Sequence, residues 1–174
     1  MKRFFDLILA LTILIPVLIV MLFIAIAILI TSKGPLLYWS NRVGINNTIF
    51  AMPKFRSMID NTPAVATHLL TDPERFLSPI GGFIRRTSLD ELPQLFSIIK
   101  GDMSFVGPRP ALFNQDDLIA LRSKNGLDKI LPGLTGWAQI NGRDELTINE
   151  KIDLEVEYMQ RKSFWFDLKI LWMT

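Results

Sequence analysis

Apolar residues are concentrated at the start of the chain. The stretch from Leu7 to Ile30 holds 24 residues without a charged side chain, and basic residues lie on both sides of it. As a helix it would measure about 36 Å, which is enough to cross a hydrocarbon core of about 30 Å. The stretch is too long for the apolar part of a secretory signal. Residues 1–31 are therefore predicted to form a membrane segment.

Two membrane arrangements fit this segment. Pro16 removes a backbone donor and clashes with the carbonyl of Thr12, but a kinked spanning helix tolerates such a residue. Lys2 precedes the segment and Lys33 follows it, so the positive-inside rule favours neither orientation. A helix-break-helix hairpin with both ends on the cytoplasmic face would remove that conflict. The residues alone leave the spanning helix and the hairpin open.

The remaining residues, 32–174, have the pattern of one compact α/β domain that is mostly helical. Two apolar segments flank a turn at 44–47 and predict a β-hairpin. A capping-box pattern from Thr147 to Glu150 opens a helix. The predicted strands are Leu36–Val43 and Thr48–Phe55, and the predicted helices are Ile80–Arg86, Glu91–Ile99, Gln115–Lys124, Thr147–Arg161 and Ser163–Thr174.

The last predicted helix is strongly apolar. Phe164, Trp165 and Trp172 lie close to Lys169 in the sequence, a composition that suits an interfacial amphipathic helix in the headgroup layer of a membrane. A helix in the protein core fits nearly as well, so both arrangements stay open. The chain stops within this pattern without a cap or a polar tail, which indicates a truncated C terminus.

Composition limits the chemistry that is available. The chain has 19 Lys and Arg against 17 Asp and Glu, and this net charge of +2 argues against non-specific nucleic-acid binding. There is no cysteine and one histidine, His68, which excludes disulfides, thiolate nucleophiles, zinc fingers and multi-histidine metal sites. Catalysis would have to use carboxylates, Lys, Arg, hydroxyls, backbone groups or a hard metal ion.

Polar residues are densest at 85–94, where Asp90 and Glu91 are adjacent carboxylates. One interpretation is structural: with Asp90 as the N-cap of a helix, Pro93 falls at the third helical position, where its missing N–H costs nothing. The functional interpretation is phosphoryl transfer. One carboxylate would attack phosphorus while the other helps to hold a divalent cation.

Several basic residues could hold the phosphate oxygens in such a reaction. Each of them, taken alone, could equally be a solvated surface charge. The sequence has no P-loop and no dinucleotide-binding fingerprint, so any phosphate binding would be of another kind. The candidates are Lys54, Arg56, Arg85, Arg86, Arg109 and Arg143.

Long motifs occur in a fixed order along the whole chain. They are Lys2–Asp6, Lys54–Met58, Arg86–Leu95, Lys100–Pro110, Pro132–Arg143 and Asp167–Lys169. In this order they resemble the bacterial sugar transferase family, the monotopic polyprenyl-phosphate phosphoglycosyl transferases. The chain looks like the small form of that family, in which no large membrane domain precedes the transferase part.

The resemblance implies a reaction and a location. The reaction is transfer of a phospho-sugar from a UDP-sugar to polyprenyl (undecaprenyl) phosphate, with release of UMP, which begins the assembly of capsule, O-antigen, exopolysaccharide or other surface glycans. The location is the bacterial inner membrane, with the catalytic domain facing the cytoplasm. The expected partners are the UDP-sugar, the polyprenyl phosphate and the lipid bilayer, without nucleic acid, and a homodimer is compatible with the resemblance.

The resemblance also assigns roles to residues. Asp90 would be the nucleophile that forms a covalent aspartyl phospho-sugar intermediate, and Glu91 would be associated with Mg²⁺. The substrate-binding set carried over is Lys54, Arg56, Arg85, Arg109, Arg143, Asp102 and Asp167, of which the last two lie in family motifs without a defined role. The membrane helix would be re-entrant and broken at Pro16. The family often has serine before that proline, where this chain has Ile15.

The sugar and the reaction class leave alternatives. Residues 62–67 and 110–115 look like the branch of the family that uses UDP-linked N-acetylated 6-deoxyhexosamines. A conventional membrane-associated glycosyltransferase would release UDP instead of UMP. A non-catalytic, membrane-anchored binding module would use the Asp-Glu pair only to cap a helix.

Overall fold

A computed structural model gives the structure of residues 2–59, 62, 72–142 and 145–174. These residues are mostly helical and also form two small two-stranded sheets. The helices are α1 (Lys2–Thr31), α2 (Gly81–Arg86), α3 (Gln94–Lys100), α4 (Asp116–Lys124), α5 (Trp137–Ile140), α6 (Ile148–Arg161) and α7 (Phe164–Met173). The strands are β1 (Leu37–Val43), β2 (Ile49–Phe55), β3 (Ser104–Val106) and β4 (Gly133–Thr135). The mostly helical α/β class predicted from the sequence is confirmed.

Helix α1 is one continuous helix of 30 residues. It continues through Pro16, so the structure differs from the predicted helix-break-helix in having no interruption at this residue. The physical reason is that a proline removes only one donor from the helical ladder, and the bonds on either side can persist. The hydroxyl of Thr12 donates to the carbonyl of Ile8, at 2.8 Å, one turn earlier. The re-entrant topology stays a prediction.

One face of α1 packs against the rest of the domain along the length of the helix. Near its start, the buried carboxylate of Asp6 accepts hydrogen bonds from the Ser104 hydroxyl, at 2.8 Å, and from the Phe105 N–H, at 3.3 Å. Near its end, Ile24 and Ile28 are buried in a cluster with side chains from β2 and α2. Both ends of α1 are therefore attached to the same domain.

The opposite face of α1 is apolar and exposed. Phe4 is 71% exposed and Ile30 is 79% exposed, although they lie at opposite ends of the helix. Among the residues that the structure describes, α1 is the one helix long and apolar enough to cross a membrane. A soluble protein rarely exposes so large an apolar surface without a partner.

Helix α7 extends this apolar surface. The rings of Phe5 on α1 and Phe164 on α7 meet edge to face, with their centroids 5.1 Å apart. Trp165 is 76% exposed and Trp172 is 90% exposed, while Ile170 of the same helix is fully buried. The helix thus has a buried face, as predicted for a core helix, and an exposed aromatic face, as predicted for an interfacial helix.

Strands β1 and β2 form the antiparallel hairpin predicted from the sequence, with each strand starting one residue later than expected. A single 3₁₀ turn, Ile45–Asn47, joins the strands, and Asn46 and Asn47 both adopt positive φ. Asparagine tolerates the left-handed region better than most residues, which explains why this short connection is possible. The hairpin places Lys54, near the end of β2, beside α3 and the turn that precedes it.

The second sheet was not predicted. Strands β3 and β4 pair in parallel through Ser104↔Gly133 and Val106↔Thr135, in segments for which the sequence predicted no strand. Each strand has three residues, which is too short for an alternating pattern to be visible. A Cβ at Gly133 would lie 2.1 Å from the backbone nitrogen of Gly107, so this close approach requires glycine.

The larger hydrophobic core lies between α1, α3, the β3–β4 pair, α6 and α7. Ile98, Met103 and Ile170 are fully buried within it. The predicted capping box at the start of α6 is confirmed, because the Thr147 hydroxyl accepts from the Glu150 N–H while the Glu150 carboxylate accepts from the Thr147 N–H. This core supports the loops in which the polar cluster described below is found.

Candidate active site

The two adjacent carboxylates lie on a 3₁₀ turn, Leu89–Glu91, and α3 begins only at Gln94. The predicted helix with Asp90 as its N-cap is therefore corrected. The difference arises from tighter bonds in the preceding residues. Ser88 adopts positive φ, and the N–H groups of Glu91 and Leu92 bond the carbonyls of Ser88 and Leu89, three residues earlier, in the pattern of a separate 3₁₀ turn.

Glu91 accepts hydrogen bonds from two cations at one oxygen. Its Oε1 atom lies 2.7 Å from Lys54 Nζ on β2 and 2.8 Å from Arg109 Nη2 in the loop after β3. Burial would raise the pKa of Glu91, but Arg109 and Lys54 together outweigh it and hold that pKa well below its usual range. Glu91 is therefore a carboxylate that stays ionised.

Asp90 has the opposite electrostatic environment. It is 7% exposed, and this burial raises the pKa of its carboxyl group. The charge of Lys54 opposes the rise and that of Glu91 adds to it. Arg85, in the last turn of α2, also opposes it. A poorly hydrated carboxylate beside cations combines the properties expected of a nucleophile toward a phosphate ester.

Lys54 is largely buried, and burial lowers its pKa in spite of the ion pair with Glu91. A second cation of the cluster, Arg42 on β1, was not among the sequence candidates. Its guanidinium donates to the Pro110 carbonyl and to the Ser40 hydroxyl, both at 3.0 Å. Burial and the nearby charge of Arg109 lower the pKa of Arg42 to about 10. An arginine inside a predicted strand was the only signal in the sequence that could have identified it.

The cluster carries more positive than negative charge. Four cations surround or act electrostatically on the two carboxylates, namely Lys54, Arg42, Arg85 and Arg109. They come from β1, β2, α2 and the loop after β3. A partly buried site with this excess of cationic donors suits a phosphate-containing anion.

Three other predicted site residues have their partners elsewhere. Arg56 donates to the carbonyl of Lys33 and to Ser32, at the end of α1. Asp102 pairs with Lys100, at 2.9 Å. The structure does not bring these two into contact with Glu91, and their roles in substrate binding stay predictions.

Asp167 lies near the start of α1. Its buried carboxylate accepts from the Tyr158 hydroxyl, at 2.8 Å, and forms an ion pair with Lys2. Burial and the charge of Asp167 raise the pKa of Tyr158 well above its usual range. Arg143 and His68 lie outside the described residues.

Asp90 and Glu91 are the candidate ligands for a magnesium ion at this site. In the described part of the chain, no group of three or more Asp, Glu or His side chains could surround a metal ion. Mg²⁺ is usually held by one or two carboxylates together with substrate phosphates and water. Asp90 and Glu91 fit that pattern, so these residues suit a cation that is shared with a bound phosphate group.

The sequence of the whole chain, residues 1–174, matches the family described as bacterial sugar transferase. The chain belongs to this family. The resemblance drawn from the motifs is therefore confirmed, and the cluster around Asp90 and Glu91 contains residues from three of the motifs that carried it.

Relatives with informative names support the same conclusion. The chain is 38% identical to UDP-glucose:undecaprenyl-phosphate glucose-1-phosphate transferase of Escherichia coli and 34% identical to undecaprenyl-phosphate galactose phosphotransferase of Salmonella typhimurium. The alignments cover the whole of this chain but only 39% of each relative. It is also 38% identical to the uncharacterized sugar transferase EpsL of Bacillus subtilis, over the whole chain and 85% of that protein.

The adjacent carboxylates should affect stability with opposite signs. Asp90→Asn is expected to raise the melting temperature at pH 7, because a raised pKa means that ionisation above the unfolded pKa of about 3.9 destabilises the fold. Glu91→Gln is expected to cost about 2 kcal/mol at pH 7, because Lys54 and Arg109 lose their shared counter-ion.

Both effects should decrease at low pH. Asp90 is protonated in the folded and unfolded states below about pH 3.9, so Asp90→Asn should no longer raise the melting temperature there. The stabilisation from ionised Glu91 is complete above the unfolded pKa of about 4.3 and is lost as the pH falls toward its lowered folded pKa. Thermal unfolding of the detergent-solubilised variants measures this at pH 7, at pH 4 and, for Glu91→Gln, at the lowest pH at which the protein stays folded. Equal destabilisation by both substitutions at pH 7 would contradict the assignment.

Proposed function

We propose that this protein transfers a phospho-sugar from a UDP-sugar to polyprenyl (undecaprenyl) phosphate and releases UMP. The observation that carries the proposal is the buried Asp90 carboxylate next to Glu91, within a cluster of lysine and arginine side chains. The names of the Escherichia coli and Salmonella relatives describe sugar-phosphate transfer to undecaprenyl phosphate, which supports the same reaction class.

The first step forms a covalent intermediate. An oxygen of the Asp90 carboxylate attacks the phosphorus that bears the sugar, and the bond from that phosphorus to the bridging oxygen of the diphosphate breaks. UMP leaves with the electron pair of that bond. The product on the protein is an aspartyl phosphate diester that carries the sugar. No proton needs to move in this step, which matches a nucleophile that attacks as a carboxylate.

The second step regenerates the enzyme. An oxygen of polyprenyl phosphate attacks the same phosphorus, the bond between phosphorus and the Asp90 oxygen breaks, and polyprenyl-diphospho-sugar is released with Asp90 again a carboxylate. The cations of the cluster hold the phosphate oxygens in both steps. Glu91 accepts hydrogen bonds from both Lys54 and Arg109, so the orientation of these two cations is set before a substrate arrives.

Mg²⁺ is part of the proposal. Asp90 and Glu91 are the residues that would hold it, together with substrate phosphate oxygens. When bound, the ion neutralises charge on the phosphate groups. Lys54 and Arg109, which Glu91 holds in place, also neutralise phosphate charge, and they do so without the metal.

The lipid acceptor explains the apolar surface. We propose that the exposed face of α1 and the aromatic face of α7 lie in the bacterial inner membrane, with the catalytic domain on the cytoplasmic side. Both ends of α1 are attached to this domain, through Asp6 near the start and through Arg56 at the end. That attachment favours a re-entrant helix over a spanning one, because a spanning helix would separate its two ends by the bilayer.

The donor sugar and the pathway are the most detailed parts of the proposal. The sequence predicts an N-acetylated 6-deoxyhexosamine, and of the two segments behind that prediction, only 110–115 lies fully within the described residues. Two relatives are named for glucose and galactose instead. The product would begin a capsule, an O-antigen or another surface glycan.

Nucleotide release from a panel of UDP-sugars tests the reaction. With polyprenyl phosphate and Mg²⁺, the intact protein should release UMP, and EDTA should stop the release. Asp90→Asn should lower the rate at least about 1,000-fold, as expected for loss of a nucleophile. Asp153→Asn changes an exposed aspartate on α6 and serves as the matched control, with an unchanged rate.

Each other outcome points to a different function. Release of UDP would place the protein among conventional glycosyltransferases. Absence of turnover over the whole panel, with a folded protein, would favour the binding module. Substantial UMP release by a folded Asp90→Asn protein would overturn the nucleophile assignment.

Single cysteines test the membrane topology, since the chain has no native cysteine. Lys2→Cys reports on the start of α1, and Lys162→Cys reports on an exposed site between α6 and α7. In intact spheroplasts, a membrane-impermeant maleimide should label neither, and after lysis it should label both. Labelling of Lys2→Cys alone before lysis would mean that α1 spans the bilayer.

A further inference from the structure

The loop that carries Arg109 is held by its backbone carbonyls. It follows β3 and has no helix or strand of its own through residue 111. Four consecutive carbonyl groups accept hydrogen bonds from three different elements of the fold, β4, α4 and β1. These bonds run from Gly133 N to Pro108 O (2.8 Å), from Arg122 Nη2 to Arg109 O (2.9 Å), from Arg42 Nη1 to Pro110 O (3.0 Å) and from Val43 N to Ala111 O (2.9 Å).

The bond to Arg109 itself comes from a buried ion pair. Arg122 on α4 and Glu155 on α6 have side chains that are only 10% and 3% exposed. The Arg122 guanidinium donates through Nε and Nη2 to the two carboxylate oxygens of Glu155, and Nη2 also donates to the Arg109 carbonyl. A planar guanidinium offers several donors in a fixed geometry, so it can serve both acceptors at once.

A buried ion pair of this kind is weak evidence for a role in stability. Removing two charges from water costs several kcal/mol per ion, and well-packed apolar residues often replace such a pair without loss. The pair matters here for geometry, because it fixes the Arg122 guanidinium beside the backbone carbonyl of Arg109. Pro108 and Pro110 restrict the backbone on both sides of Arg109, so holding its carbonyl limits the directions in which its side chain can point.

We propose that Arg122 and Glu155 are positioning residues, which act by holding Arg109 in the orientation that reaches Glu91 and the substrate phosphate. The inference rests on the proposed function, in which Arg109 contacts a phosphate oxygen. Neither residue touches the carboxylate pair in the structure: Arg122 bonds Glu155 and the backbone of Arg109, and Arg109 bonds Glu91. The chain of contacts therefore runs from α6 through α4 to the active site.

A double-mutant cycle separates positioning from simple stabilisation. Arg122→Lys keeps a cation beside Glu155 but loses the donor geometry that also serves Arg109. It is expected to lower kcat for UMP release about tenfold, since small misplacements of a catalytic group have effects of this size or larger. In an Arg109→Lys background, which keeps a cation beside Glu91, the same substitution should lower kcat by less than about twofold.

Glu155→Gln provides a second variant in case Arg122→Lys folds poorly. It removes the charge that orients Arg122 and should show the same dependence on Arg109. Arg161→Lys is the matched control, because Arg161 pairs with Glu157 on the exposed side of α6. It makes the same chemical change in an Arg–Glu pair of α6, the helix that also carries Glu155, and should not change kcat in either background.

A binding measurement does not depend on turnover. The rise in melting temperature on addition of UMP should be reduced to the same extent by Arg122→Lys, by Arg109→Lys and by the two together. Failure of the intact protein to release UMP from any donor would refute the proposed function, and the UMP-induced shift would still decide the inference.

The contrary results are equally specific. Equal losses of kcat from Arg122→Lys in both backgrounds, or additive losses of the UMP-induced shift, would mean that the pair acts only on the fold. Unchanged kcat in both Arg122→Lys and Glu155→Gln would also overturn the proposal.

Discussion

One carboxylate oxygen connects the parts of this site. Oε1 of Glu91 accepts from Lys54 on β2 and from Arg109 in the loop after β3, while Glu91 itself lies on the 3₁₀ turn before α3. Three segments that are distant in the sequence thus meet at one atom. The positive charges gathered there for Glu91 also suit a phosphate-containing anion. Burial and the negative charge of Glu91 raise the pKa of neighbouring Asp90, against the effect of the cations.

The elements that depend on local patterns were predicted well. The long apolar run formed α1, the two apolar segments around the 44–47 turn formed the β1–β2 hairpin, and the capping box formed the start of α6. Charge and local composition identified the carboxylates, Lys54 and Arg109 as candidates, and the family resemblance then assigned roles to them. Charge and spacing alone had left helix capping and catalysis both open for Asp90 and Glu91.

The remaining features depend on contacts between distant residues. Strands β3 and β4 are visible only once they pair, because three residues carry no periodicity. The start of α3 depends on bonds from the N–H groups of Glu91 and Leu92 to carbonyls three residues earlier, which compete with the preference of acidic residues for helix starts. Arg42 and Arg122 could not be separated from ordinary surface cations, since their burial and their carbonyl partners come from the folded chain.

In the proposed reaction, everything depends on the covalent bond that Asp90 forms to the transferred phospho-sugar. Intact-protein mass spectrometry after incubation with the productive UDP-sugar and Mg²⁺, without any lipid acceptor, tests it most directly. The account predicts a mass increase equal to one phospho-sugar, located on Asp90 by peptide mapping and lost when polyprenyl phosphate is added. An unmodified protein that releases UMP only when the acceptor is present, or an adduct on another residue, would contradict the account.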